Sequence, residues 1–249
     1  MQRRVFAANW KMNHGPTDAR EFLHSFLRYY PRHSDRQVLI FPASVTLPAL
    51  VEGLRDRPDI RVGIQNIHWE DKGAFTGEIS AAMARDAGAH YALVGHSERR
   101  HVFGETDEHT QRKVAACFKA RLTPILCVGE KLEEREAGET ESVVLRQLRA
   151  GLEGADAAHV AQVLIAYEPV WAIGTGKNAT PDDASRVHRV IRAELKLLSP
   201  EKYLAIPILY GGSVNRANAA QLLGAPEVDG VLVGGASLDA EGWSAIVRA

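Results

Sequence analysis

The sequence predicts an α/β fold in which eight parallel strands close into a barrel surrounded by helices, a single (β/α)8 domain over residues 1–249. Three observations predict it. Eight short apolar runs recur along the chain, helix-like segments fill the intervals, and no Pro/Gly/Ser-rich linker or charge run interrupts the series. A chain of 249 residues, 45% of them hydrophobic, can bury one large core. The strand candidates are residues 5–8, 38–41, 60–64, 91–94, 124–128, 163–167, 206–210 and 228–233. They are continuous in apolar character, as strands buried on both faces must be, and parallel sheets flanked by helices are the usual setting for such strands.

Helical patterns cover residues 18–30, 105–120, 140–152 and 182–198. The last has a clear start: Thr180 suits the N-cap, Pro181 the first helical position, and Asp183 completes a capping-box spacing. A doubly wound sheet competes with the barrel, but Asn9-Trp10-Lys11-Met12-Asn13 stands where its glycine fingerprint belongs. Residues 70–80 form a long connection without apolar periodicity, the kind of loop that is usually functional or mobile. Phe75 at its tip suggests burial in a partner.

Composition narrows the function. A net charge of -1 and a pI near 6.8 give no global field to hold a polynucleotide or an acidic membrane, so an anionic ligand must be held by local groups. Small molecules are the expected partners. Two cysteines, Cys117 and Cys127, make no disulfide framework, and no apolar stretch reaches the roughly 20 residues of a membrane helix. The basic start MQRRVFAANW meets Asn9 and Lys11 before a signal-peptide core can form, which leads us to expect a cytoplasmic protein.

In a barrel of this type, sites form where strands end at their carboxyl side. Asn9 and Lys11 follow the first run; Gly95, His96, Ser97 and Glu98 the fourth; Glu168 the sixth; Gly211, Gly212 and Ser213 the seventh; Gly234 and Gly235 the eighth. Together these supply a cation, an imidazole, a carboxylate and two glycine turns whose backbone N–H groups can cradle an anion. Each has a bland alternative: a lone histidine is usually structural, a lone glutamate an ion-pair partner, Trp171 core, Lys11 solvated, and a glycine pair an ordinary turn. Glu21-x-x-His24 and Glu98-x-x-His101 match half of a di-iron motif, but that site needs four bundled helices, and no metal is expected. Gly174-Thr175-Gly176-Lys177 lacks the first glycine and the final Ser/Thr of a nucleotide-binding P-loop.

Six segments in order, NWKMN (9–13), GHSERR (95–100), ILCVGE (125–130), AYEPVWAIGTGK (166–177), YGGSVN (210–215) and GVLVGGASL (230–238), resemble the triosephosphate isomerase family across essentially the whole chain. The resemblance implies cofactor-free interconversion of dihydroxyacetone phosphate and glyceraldehyde 3-phosphate, a step of glycolysis and gluconeogenesis, on a TIM barrel. It implies that Glu168 is the base, His96 the neutral electrophile with Asn9 beside it, Lys11 the cation near substrate, and Glu98 the carboxylate near that lysine. Gly174, Ser213, Gly234 and Gly235 match backbone donors to phosphate. Pro169, Val170, Trp171, Ala172, Ile173, Gly174, Thr175, Gly176 and Lys177 match a closing lid. Residues 70–80 match the loop that enters the neighbouring subunit of a homodimer, with Phe75, Thr76, Gly77 and Glu78 at the interface and Thr76 near the partner's site. Departures are small: Ile64 precedes Gln65-Asn66 where a small residue is common, and His14 follows NWKMN where the family varies.

Physical chemistry points the same way. A glutamate with a pKa near 4.3 is a feeble base toward carbon and must be desolvated at the moment of transfer, which a water-excluding lid accomplishes. The same closure protects an enediolate from losing phosphate. A sugar-phosphate epimerase is the nearest enzymatic alternative, but these strand ends lack the carboxylates and histidines that would hold its metal. A binding protein built on the barrel is the other, and ligand binding alone needs no base.

Overall fold

The computed structural model describes residues 3–173 and 179–249. Eight strands, β1 (Arg4–Asn9), β2 (Arg36–Phe41), β3 (Ile60–Ile64), β4 (Tyr91–Val94), β5 (Thr123–Val128), β6 (Leu164–Tyr167), β7 (Ile208–Tyr210) and β8 (Gly230–Val233), pair in chain order. All pairs are parallel, and β8 returns to β1 with Val5 opposite Gly230 and Ala8 opposite Val233, so the barrel closes as expected. The helices are α1 (Pro16–Tyr29), α2 (Leu47–Gly53), α3 (Ala81–Asp86), α4 (Ser97–His101), α5 (Asp107–Lys119), α6 (Leu132–Glu136), α7 (Thr140–Gly151), α8 (Ala157–Val160), α9 (Pro181–Leu198), α10 (Ala219–Leu223) and α11 (Ala240–Val247).

The period of two along each strand divides the core. Val5, Ala7, Leu39, Phe41, Leu93, Ile125, Cys127 and Leu209 fill the barrel interior. Their neighbours Phe6, Ala8, Val38, Ile40, Val94 and Leu126 pack outward against apolar helix faces such as Phe22, Phe26, Val144, Leu148, Ile191 and Leu195. Both faces are therefore buried, which is why the runs read as continuous. Thr180 caps α9 as its spacing indicates: its hydroxyl accepts from the Asp183 N–H at 3.1 Å, and the Asp183 carboxylate accepts from the Thr180 N–H at 3.1 Å.

Three strands begin later than their apolar runs, β6 by one residue and β7 and β8 by two. Residues 206–207 precede β7 because Ile206 closes a 3-10 turn over Tyr203–Ala205. Residues 228–229 precede β8, and the Asp229 carboxylate is committed to the Ile208 N–H and Arg192. The short helices α4 and α6 fall below the length at which an apolar period is legible. The loop before α3 exposes residues 71–78, and the half-exposed Phe75 lies with its ring centroid 4.4 Å from that of His68. Cys117 and Cys127 are buried free thiols, and among the described residues no helix is long and apolar enough to cross a membrane.

Candidate active site

The carboxyl ends of the strands surround a cavity of about 350 Å³. Asn9, Lys11, His96, Glu168, Ser213, Gly234 and Gly235 all line it, so residues from five strand ends spread over the whole chain meet in one place. Each is held by its local backbone. Lys11 sits at φ 54°, a left-handed conformation that a non-glycine residue adopts at a cost, and is held there by its N–H on Asn9 Oδ1 (3.1 Å) and its carbonyl on Gln65 Nε2 (2.8 Å). His96 caps α4, its Nδ1 accepting from the Glu98 N–H at 3.2 Å. Glu168 follows β6 and donates its N–H to Val128 O at 2.8 Å.

Two glycines make room for that glutamate. A Cβ on Gly129 would stand 1.8 Å from the Glu168 carbonyl oxygen, and one on Gly211 would stand 2.8 Å from Glu168 Cγ. Residues without side chains at the ends of β5 and β7 therefore let a buried carboxylate lie between them.

The Glu168 carboxylate has two partners. Oε1 lies 3.0 Å from His96 Nε2, and Oε2 accepts from the Ser97 N–H at 2.9 Å. Because Nδ1 of His96 already accepts a backbone N–H, the ring proton belongs on Nε2, and the ring that donates to Glu168 is neutral. Burial disfavours the Glu168 carboxylate, but the His96 and Ser97 contacts outweigh it and hold the pKa below the ordinary glutamate value. For His96, burial works against the cation and the Glu168 carboxylate works for it, raising the pKa. Full protonation would force Nδ1 to abandon the Glu98 amide, so the helix terminus opposes that rise. Lys11 Nζ donates to Glu98 Oε1 at 2.5 Å, and Glu98 Oε2 lies 3.7 Å from His96 Nδ1. Glu98 thus reaches the site through Lys11 and does not itself line the cavity.

Such an arrangement can take a proton from carbon on one side and polarise a carbonyl on the other. The far end of the cavity, between Ser213 and the Gly234–Gly235 turn, is open to an anion beside Lys11: a Cβ on Gly234 would approach Lys11 Cε to 3.3 Å. Among the described residues, no cluster of three or more His, Cys, Asp or Glu side chains could hold a metal ion.

The expected lid is described as far as Ile173, which lines the cavity, while Gly174, Thr175, Gly176 and Lys177 lie outside the described residues. Its first part is a 3-10 turn, Val170–Ala172, pinned by a residue that sequence reasoning left without a role. Glu130, fully buried, accepts from Trp171 Nε1 (2.9 Å) and from the Tyr167 hydroxyl (3.1 Å), and its carbonyl accepts from the Val170 N–H (3.0 Å). Arg135 stacks over the Trp171 ring at 4.3 Å. The signal for Glu130 was a carboxylate one glycine beyond the end of an apolar run, close to the signal that marked Glu168. Phe75, Thr76, Gly77 and Glu78 are exposed in the single chain. Thr76 does not line this chain's cavity, whereas Gly77 and Glu78 line a neighbouring groove with Lys11 and Met12.

Comparison with known proteins follows the same outline. The family model described as Triosephosphate isomerase matches residues 4–249. The triosephosphate isomerase of Aquifex aeolicus is 47% identical over 245 residues, covering 98% of both chains. That of Moorella thermoacetica is 47% identical over 248 residues, 100% of this chain and 99% of its own. The crystal structure of triosephosphate isomerase from Bartonella henselae superposes with a TM-score of 0.88 at 38% identity, covering 98% of this chain and 97% of that one. With barrel, cavity and sequence agreeing from end to end, this chain belongs to the triosephosphate isomerase family.

Proposed function

We propose that this chain interconverts dihydroxyacetone phosphate and D-glyceraldehyde 3-phosphate by proton transfer through an enediolate, as a step of glycolysis and gluconeogenesis. The observation that carries this reading is the 3.0 Å pairing of Glu168 with a neutral His96 at the wall of a cavity that also holds Lys11 and two glycine turns. In the reaction, the substrate carbonyl oxygen takes the His96 Nε2–H, and the carboxylate it displaces is left without one of its two stabilising partners. A buried carboxylate so released is a stronger base. It removes a proton from the carbon beside the carbonyl and returns it to the neighbouring carbon, while His96 serves the two oxygens in turn. Lys11 and Asn9 stabilise the negative charge that grows on those oxygens. Glu98 orients Lys11, and Ser213, Gly234, Gly235 and Gly174 hold the phosphate through backbone N–H groups.

The segment from Pro169 to Lys177 closes over the substrate in this reading. The Glu130 hydrogen bond to Trp171 supports the reading by fixing where the segment leaves the barrel. A homodimer is part of the same proposal. Most of the exposed large apolar side chains among the described residues, Met12, Val45, Phe75, Met83, Val102 and Phe103 included, belong to the connections after β1 to β4, one side of the barrel, with Leu197 and Leu204 in the connection after β6. Phe75, Thr76, Gly77 and Glu78 would meet the partner there, and the expected location is the cytoplasm. The test is isomerisation of glyceraldehyde 3-phosphate by the purified protein in EDTA, with Glu168→Gln as control. Turnover that survives the chelator and collapses in the variant is the expected result. No turnover from the folded protein would overturn the assignment.

A further inference from the structure

Behind the cavity, one guanidinium connects two backbone carbonyls and a carboxylate that the mechanism does not otherwise use. Arg100, on α4, is only 7% exposed at its side chain. Its Nε donates to Gly95 O at 2.8 Å, its Nη2 to Cys127 O at 3.3 Å, and its Nη1 to Asp107 Oδ1 at 2.7 Å. Asp107, at the start of α5, is bonded in turn to Arg146 on α7. Arg100 does not line the cavity.

The two carbonyls it holds have particular neighbours. Gly95 O belongs to the peptide unit that carries the His96 nitrogen, so the bond from Arg100 fixes the plane from which the His96 side chain departs. The N–H of Gly95 is held from the other side, by Glu105 Oε1 at 3.2 Å, and Gly95 itself stands at φ 71°. Cys127 O lies one residue before Val128, whose carbonyl accepts the Glu168 N–H. In the barrel, His96 follows β4 and Glu168 follows β6, and β5 lies between them. A single side chain therefore spans the step from the His96 peptide to the strand on which Glu168 rests. A Cβ on Gly95 would come within 2.7 Å of Arg100 Nη2, so the guanidinium is seated directly against the turn.

We infer that Arg100 is a positioning residue, which sets the separation of His96 and Glu168 by tying the end of β4 to the end of β5. A planar fork is needed for this, because two carbonyls and a carboxylate are bonded in three directions at once; lysine offers the charge without the geometry. A displacement of the reacting groups by about 1 Å can cost about 100-fold in rate, so a sub-ångström slip between two strand ends is enough to matter.

The inference rests on the isomerase reading, and the experiment separates the two. Wild-type protein, Arg100→Lys and Asp107→Asn are compared for kcat and KM with glyceraldehyde 3-phosphate. The same proteins are titrated with inorganic phosphate and with the hydroxamate of phosphoglycolic acid, whose planar O–C–N–O group copies an enediolate. Arg100→Lys is expected to lose about 10- to 100-fold in kcat and a comparable factor in hydroxamate affinity, with KM and phosphate affinity within about threefold of wild type. Asp107→Asn, which keeps the arginine and removes its anchor, shifts both in the same direction by a smaller factor and serves where Arg100→Lys fails to fold. The ring ¹⁵N resonances of His96 move in both variants, independently of turnover. Unchanged kcat in the folded variants, or equal losses of phosphate and hydroxamate, would overturn the inference. Absence of turnover in the wild type, with the His96 resonances still shifted by the variants, would overturn the isomerase reading and leave the positioning role standing.

Discussion

Replacing Glu168 with aspartate is the sharpest perturbation of this site, because it changes the position of a charge and little else. Removing one methylene withdraws the carboxylate by about 1.5 Å, the length of a carbon–carbon bond. The contacts with His96 Nε2 and the Ser97 N–H, now 3.0 Å and 2.9 Å, open to about 4.5 Å and 4.4 Å, beyond hydrogen-bond range. The same withdrawal separates the base from the substrate carbon. At about 100-fold per ångström, kcat should fall roughly 10²- to 10³-fold, or about 3–4 kcal/mol of barrier, with KM nearly unchanged because the phosphate contacts are untouched. The pH profile adds a second signature. Contacts with His96 and Ser97 are what hold the Glu168 pKa down against burial. The shorter carboxylate of Glu168→Asp would keep the burial and lose the contacts, so the acidic limb of kcat/KM moves to higher pH. Steady-state kinetics from about pH 3 to about pH 9, a range that brackets the titration of carboxylate and imidazole, measure both. A variant whose KM rises while kcat holds, or whose acidic limb moves down, refutes the base assignment and the account of its pKa.

Further outcomes follow from neighbouring contacts. Gly211→Ala places a methyl group 2.8 Å from Glu168 Cγ, so the folded variant should lose kcat with little change in phosphate affinity; full activity would show that the carboxylate has room to move aside. Trp171→Phe removes a donor from the buried Glu130, whose pKa burial already raises; urea unfolding at about pH 8 should show a loss of about 1–3 kcal/mol, and an unchanged midpoint would show that the bond adds nothing to stability. His188 is fully buried and burial pushes its pKa down to about 4. In the unfolded chain it titrates near 6.5, so the unfolded state binds the extra proton first and stability is lost as pH falls from about 6.5 toward 4. About 2 kcal/mol should disappear between about pH 7 and about pH 5, and His188→Asn should remove most of that slope; an unaltered slope would place the titration elsewhere.

The identity of the strand ends was legible before any coordinates. Apolar runs buried on both faces have to be continuous, and a polar residue that immediately follows such a run has to emerge at the rim of the sheet. Asn9, His96, Glu168 and the glycine turns were found by that logic, as was the Thr180 cap, because each depends on neighbours in sequence. Helices as short as α4 and α6 were not legible, since five residues carry no usable period.

What the sequence could not express is distance. Glu168 and Ser97 are 71 positions apart, and Lys11 and Glu98 are 87 apart, yet both pairs are hydrogen-bonded. The imidazole by itself does not say which nitrogen of His96 carries the proton; the Glu98 N–H two residues on decides that, and does so because the folded chain starts α4 there. Glu130, Gly129 and Arg100 stood within recognised motifs without a role, because their work is to press on or hold residues from other strands. By itself, the sequence determined the eight-unit barrel, the rim on which chemistry would gather and the residue types available there, since burial and backbone propensity are properties of short segments. Only the tertiary structure decided which of those residues touch, which protons they hold and what keeps them in register, because barrel closure brings together groups whose energies depend on separations of an ångström.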